Sequence, residues 1–101
     1  MSNRFSEVHL VAYLVPKPGR EQALAETMQA LVPEVLKEPG CIAYAAHVSR
    51  ERPGMIVMYE VWRDQAALDA HAAGPNIARL VASADDLFAE PPRLELLTRI
   101  A

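Results

Sequence analysis

Between Glu7 and Val15 the chain puts apolar side chains on both sides of what reads as a strand: Val8, Leu10, Ala12 and Leu14 on one, Val11, Tyr13 and Val15 on the other. Met55 to Arg63 repeats this, with Met55, Val57, Tyr59 and Val61 opposed to Ile56, Met58, Glu60 and Trp62. Successive residues of a strand point to opposite faces, so a sheet with one wet face alternates apolar with polar. These segments do not, and both faces of their sheet call for a cover. Helices of the same chain can cover one face. An apolar second face of more than a few hundred square ångströms is abnormal on a monomer, so the expectation is a homodimer with the two sheets stacked.

The rest of the chain supplies the helices. Pro16-Lys17-Pro18-Gly19 ends strand one, and from Arg20 to about Lys37 apolar residues at Leu24, Met28, Leu31 and Val35 follow helical spacing. Pro33 lies inside this pattern and removes a backbone donor, so the helix either kinks or breaks there. Glu38-Pro39-Gly40 stops it. Cys41 to Ser49 reads as strand two, Arg50 to Gly54 as a charged turn, and Met55 to Arg63 as strand three, a hairpin. Asp64 is placed to cap a short helix over Gln65 to Ala73. After the Gly74-Pro75-Asn76 break, Ile77, Leu80, Val81, Ala84, Leu87 and Phe88 mark a second helical stretch, and Arg93 to Ile100 a fourth strand. The order β-α-β-β-α-β, with its second helix in two pieces, is the ferredoxin-like split βαβ arrangement of the α+β class: a four-stranded antiparallel sheet with helices on one face. Residues 1–101 are expected to form one domain.

Several function classes drop out on composition. A net charge of -3 without a Lys or Arg cluster argues against nucleic-acid and anionic-membrane partners. No apolar run approaches the roughly 20 residues of a spanning helix, and MSNRFSEVHL lacks the apolar core of an export leader, so a cytoplasmic location is expected. Cys41 is the only cysteine, which excludes an internal disulfide and thiol-paired metal sites; it reads as a small core residue. Gly-rich phosphate loops, dinucleotide fingerprints, zinc helices of the His-Glu-x-x-His type and Gly-x-Ser-x-Gly turns are missing, so no cofactor and no metal are expected.

A few polar and aromatic residues on apolar elements are left as candidates. Glu60 and Trp62 share a strand face, and His71 lies on the short helix that follows, turned by Ala67 and Leu68 towards that helix's apolar side. A Glu60–His71 contact is therefore expected. It could orient the imidazole as a base near neutral pH, or simply satisfy two buried polar groups. Tyr13, Tyr44 and Tyr59 read as core or interface aromatics with hydroxyls to spare, His9 and His47 as surface or interface residues, Arg50-Glu51-Arg52 as a solvated turn, and Asn76 as a helix cap or a pocket residue.

Pro18-Gly19, then Glu38-Pro39-Gly40-Cys41 with Tyr44 three residues on, then Glu60-x-Trp62-x-Asp64 followed by Ala67-Leu68 and His71, make a string that resembles the antibiotic biosynthesis monooxygenase domain family, and is most similar to its small quinol-oxygenase-like bacterial members. The resemblance implies a dimeric α+β barrel with a pocket in each subunit between sheet and helices. It also implies oxygenation of a small phenolic, quinol or polycyclic aromatic substrate by molecular oxygen with neither metal nor flavin, since an electron-rich phenolate can itself reduce oxygen. On this likeness His71 is the base, Glu60 orients it, Trp62 lines the pocket and Tyr44 is a lesser wall residue; Asn76, from its own position beside the helix break, is the further candidate for a substrate contact. Two departures stand out. Quinol-oxygenase-like relatives often read Thr-Pro-His where this chain has Gly74-Pro75-Asn76, so a second imidazole is missing; and haem degradation on this fold uses a strand Asn and a helix His where this chain has Ala12 and Val81. The alternatives are a dimeric small-molecule binding or stress-associated module without turnover, and proton-transfer or isomerase chemistry on the same scaffold.

Overall fold

The computed structural model describes residues 6–101; the first five residues of the segment read above as lacking a leader lie outside them. The elements run β1 (Val8–Leu14), α1 (Glu21–Val35), β2 (Cys41–Val48), β3 (Ile56–Trp62), α2 (Gln65–Ala72), α3 (Pro75–Ala82), α4 (Ala84–Leu87) and β4 (Arg93–Leu97). The four strands form one antiparallel sheet in the order β2-β3-β1-β4, the ferredoxin-like arrangement anticipated from the element order. No helix among the described residues is long and apolar enough to cross a membrane.

Cross-strand pairing aligns residues in rows, and the rows decide what each face contains. One row runs Tyr44, Glu60, Leu10, Leu96, and the next runs Ala46, Met58, Ala12, Leu94. This is the face on which the helices pack, with Leu24, Met28, Leu31 and Val35 of α1 and Leu80 of α3 against Leu10, Leu14, Ile56 and Met58. Each such side chain, fully buried, is worth about 1.5–3 kcal/mol. A bulge between Cys41 and Ala43 lets Cys41 pair with Trp62 and Tyr44 with Glu60, so both face the helices although they are three residues apart. The opposite face carries Val11, Tyr13, Val57 and Tyr59, which lie outside that core; Tyr59 is 39 % exposed.

Three segments differ from the sequence expectation. Helix α1 runs unbroken through Pro33, which falls in its last turn, so one interior hydrogen bond is lost and the axis still reaches Val35. The second helical stretch is divided at Ser83 into α3 and α4, and α4 ends where Phe88 enters an extended bridge with Pro16, Lys17 N donating to Leu87 O at 2.8 Å. Strand β4 ends at Leu97 rather than Ile100: Leu97 pairs with His9, one residue from the start of β1, and the β1–β4 ladder stops at that pair.

Candidate active site

The site begins with a turn. Gly40 has φ +81°, in the left-handed region where a side chain is strained, and a Cβ built on it would lie 2.6 Å from Ala67 Cβ on α2. Glycine thus lets the Glu38-Pro39-Gly40 turn lie directly on α2, where Arg63 N donates to Gly40 O at 2.8 Å. Helix α2 starts at Asp64, whose Oδ1 accepts from Ala67 N at 2.9 Å as the sequence suggested; this bond is the first cause holding the Asp64 carboxyl below its ordinary range. His71 lies one helical turn beyond Ala67, on the same face. The turn therefore delivers Glu38 to His71.

That contact corrects the sequence reading. His71 Nδ1–H donates to Glu38 Oε1 at 2.9 Å, whereas Glu60 accepts from the Trp62 indole N–H at 3.0 Å through Oε1. The hydrogen bond that holds the imidazole thus comes from Glu38, while Oε1 of Glu60 is taken by the indole two residues along the same face. Glu38 entered the sequence reading only as a helix stop and a part of the family string; 33 residues separate it from His71, and no local periodicity links them. Its other oxygen, Oε2, accepts from Asn76 Nδ2 at 2.7 Å, and Asn76 Oδ1 accepts from Arg79. Asn76 is the second residue of α3, after Gly74 and Pro75, so its side chain is neither a helix cap nor a cavity wall but a clamp on Glu38.

Trp62 also takes a different place from the one expected. It is fully buried (0 % exposed), and its ring lies behind His71, with centroids 4.4 Å apart and planes tilted by 32°. It backs the imidazole instead of lining the hollow. Tyr44 meets His71 edge-on at 5.5 Å and does line the hollow, and burial, ahead of the nearby Glu60 and Glu38 charges, pushes its hydroxyl well above the usual tyrosine range. The other aromatic and imidazole candidates lie elsewhere: His9 bonds Tyr59 Oη at 2.8 Å and Glu7 at 3.3 Å, and His47 bonds Val57 O at 3.0 Å.

Between sheet and helices is a cavity of about 210 Å³. Its floor is Ala12, Leu14, Met58, Glu60 and Tyr44, its walls are Leu68, His71, Ile77, Leu80 and Phe88, and its mouth passes Val81 and Leu94, the last 60 % exposed. The hollow exists because Ala12, between Met58 and Leu94 in its row, has almost no side chain to fill it. Among these apolar walls the ionisable groups are Glu60, His71 and Tyr44. With Nδ1 committed to Glu38, the imidazole has Nε2 left to accept a proton. Burial raises the Glu60 carboxyl above its ordinary 4.5, more than the Trp62 hydrogen bond and the adjacent His71 lower it. Cys41 is half-buried near this cluster, its thiol pushed up to about 11 by burial, then by Glu38 and Glu60. Among the described residues no three His, Cys, Asp or Glu side chains come together as a metal-binding group.

A buried imidazole held by a carboxylate beside an apolar hollow on a four-stranded ferredoxin-like sheet matches the earlier resemblance, and a family comparison decides it: the profile described as "Antibiotic biosynthesis monooxygenase" matches residues 7–83. The chain belongs to the antibiotic biosynthesis monooxygenase family. Among relatives in this family's range, an Escherichia coli protein named "Probable quinol monooxygenase YgiN" is 37 % identical over 78 residues, covering 67 % of this chain and 75 % of its own. An uncharacterised Synechocystis protein is 30 % identical over 80 residues, 79 % of this chain; the match spans 54 % of that longer relative. Of solved structures, PA3566 from Pseudomonas aeruginosa is similar with a TM-score of 0.89 at 29 % identity, covering 98 % of this chain and 99 % of that one. The antibiotic biosynthesis monooxygenase match spans β1 through α3, which includes Glu38, Tyr44, Glu60, Trp62, His71, Asn76 and Arg79.

Proposed function

We propose that this protein is a monooxygenase that oxidises a small hydroxylated aromatic, such as a hydroquinone, with molecular oxygen and neither metal nor flavin. The observation that carries the reading is His71: its Nδ1–H is held by Glu38, so Nε2 is left to act as a base at the wall of an apolar cavity of about 210 Å³. In this reading the substrate hydroxyl gives its proton to Nε2. The resulting anion, in a hollow from which water is largely excluded, passes electrons to oxygen, and carbon and oxygen join as a peroxide. Cleavage of the O–O bond leaves one oxygen on the ring and releases the other as water. The balance closes with the substrate as sole reductant: a hydroquinone plus O₂ gives a hydroxyquinone plus water. Glu60, whose burial favours its neutral form, has its second oxygen available for the ligand's other hydroxyl or carbonyl.

The protein acts as a homodimer in this proposal. Support comes from the helix-free face, where Val11, Tyr13, Val57 and Tyr59 lie together with Leu97, 38 % exposed, while the charges of Arg93, stacked over Tyr13, and Glu95 are confined to its β4 edge. Light scattering should return twice the monomer mass at micromolar concentration, and a monomer would end this part of the proposal.

Oxygen uptake with a panel of hydroquinones, corrected for uncatalysed oxidation, tests the activity. Wild type should consume oxygen and place one atom of ¹⁸O₂ in the product, and His71→Ala should lose this while keeping its fold. Ligand binding without uptake in either protein would replace the enzyme by a binding module; isomerised product without oxygen consumption would replace it by proton-transfer chemistry.

A further inference from the structure

The side of His71 turned away from the cavity is held by a chain of three residues from two parts of the sequence. Glu38 comes from the turn after α1 and uses both carboxylate oxygens, Oε1 on His71 Nδ1 at 2.9 Å and Oε2 on Asn76 Nδ2 at 2.7 Å. Asn76 uses both ends of its amide, because its Oδ1 takes a hydrogen bond from Arg79, one turn along the same helix. Arg79 borders a groove between α1 and α3 that Thr27, Glu34 and Ser83 also line, so the chain runs from the surface to the cavity wall.

The residue types suit a rigid link. Position 76 must donate to a carboxylate and accept from a guanidinium at once, which an amide does and a carboxylate does not. Gly74 eases the turn between α2 and α3, since a Cβ there would lie 3.1 Å from Ala70 O, the carbonyl four residues back at the end of α2. Hydrogen bonds in series polarise one another, so the amide held by Arg79 is a better donor to Glu38 and the carboxylate loses its freedom to rotate away.

We propose that Glu38, Asn76 and Arg79 are a positioning relay that keeps His71 in the Nδ1–H tautomer with Nε2 turned to the cavity. The proposal rests on the reading of His71 as the base of the proposed reaction and adds how that base is prepared. None of the three is a catalytic residue: Glu38 and Asn76 act through the imidazole, and Arg79 acts through Asn76.

The test reads the tautomer directly. Long-range ¹H–¹⁵N correlation spectra at pH 8, with the His71 signals assigned by their loss in His71→Gln, should show a single Nδ1–H tautomer in wild type. Glu38→Gln and Asn76→Ala should give a mixture or the Nε2–H form, and Arg79→Met a smaller shift in the same direction. Circular dichroism and thermal melting identify which variants are folded, and if Glu38→Gln is not, Asn76→Ala and Arg79→Met carry the test. With a turned-over hydroquinone, kcat should fall by about 10- to 100-fold in Glu38→Gln with KM little changed, a part of the roughly 10²–10⁴ that a positioned base contributes. Folded variants that keep a pure Nδ1–H tautomer would overturn the relay. A changed tautomer with unchanged turnover would support the relay and instead sink the assignment of His71 as the base.

Discussion

Replacing Gly40 by Ala tests, with one methyl group, the packing that assembles the site. At φ +81° an L side chain costs about 1–2 kcal/mol relative to glycine. The new Cβ would also lie 2.6 Å from Ala67 Cβ, against an optimal carbon–carbon separation of roughly 3.5–4.0 Å, and relief of such overpacking costs about 1–3 kcal/mol. The sum is about 2–5 kcal/mol. Urea unfolding followed by the fluorescence of Trp62, the single tryptophan and fully buried, measures it. The two causes separate in a double-mutant cycle with Ala67→Gly, which removes the contact but not the backbone strain. Ala67→Gly alone costs about 1 kcal/mol or somewhat more, as a glycine inside a helix. In the Gly40→Ala background it should cost less or even stabilise, with a coupling of about 1–3 kcal/mol. Activity should follow the same pattern, because pushing the turn off α2 draws Glu38 from His71. A Gly40→Ala protein destabilised by less than about 1 kcal/mol, or a cycle that is additive, would refute the argument that this turn must rest on α2.

Further tests concern the cavity and its titrating groups. Ala12→Leu should leave a folded protein that no longer binds or oxidises hydroquinones, since the hollow depends on the smallness of that one residue; retained binding measured by calorimetry would show that the ligand sits elsewhere. Because the Glu60 carboxyl is raised in the folded state, between the ordinary 4.5 and that raised value the folded protein holds more protons than the unfolded chain. Stability from this group therefore falls as pH rises through that window. Glu60→Gln, whose amide oxygen can still accept from Trp62, should gain on wild type in urea midpoint from pH 5 to pH 8, and a constant difference would contradict the assignment. Finally, a thiol raised from 9.0 to about 11 holds about 100-fold less thiolate at pH 8, so Cys41 should alkylate with iodoacetamide about that much more slowly in the native protein than in urea; equal rates would mean that it is not shielded.

Most of the architecture can be read from local pattern. Helical spacing from Leu24 to Val35, Asp64 ahead of α2, and apolar residues on both sides of β1 and β3 are properties of near neighbours in sequence, and they lead to the same element order in the folded chain. His71, Glu60 and Tyr44 could be singled out for the same reason, as polar or aromatic groups on apolar elements, and all three line the cavity. Their partners could not. Glu60 and Trp62 share a strand face at a spacing of two, which put a carboxylate near the imidazole, but that same spacing gives one of its oxygens to the indole, and the hydrogen bond to His71 comes from Glu38.

What only the tertiary structure decided is which distant groups meet. Glu38 reaches His71 across 33 residues because a glycine with positive φ lets one turn lie against α2, and Asn76 reaches Glu38 across 38 from the first turn of α3. Periodicity reports which side of an element faces inward, since that is set by the backbone repeat. A hydrogen bond between turns of different elements depends on how closely their backbones approach, and that distance is fixed by the packing of the whole core.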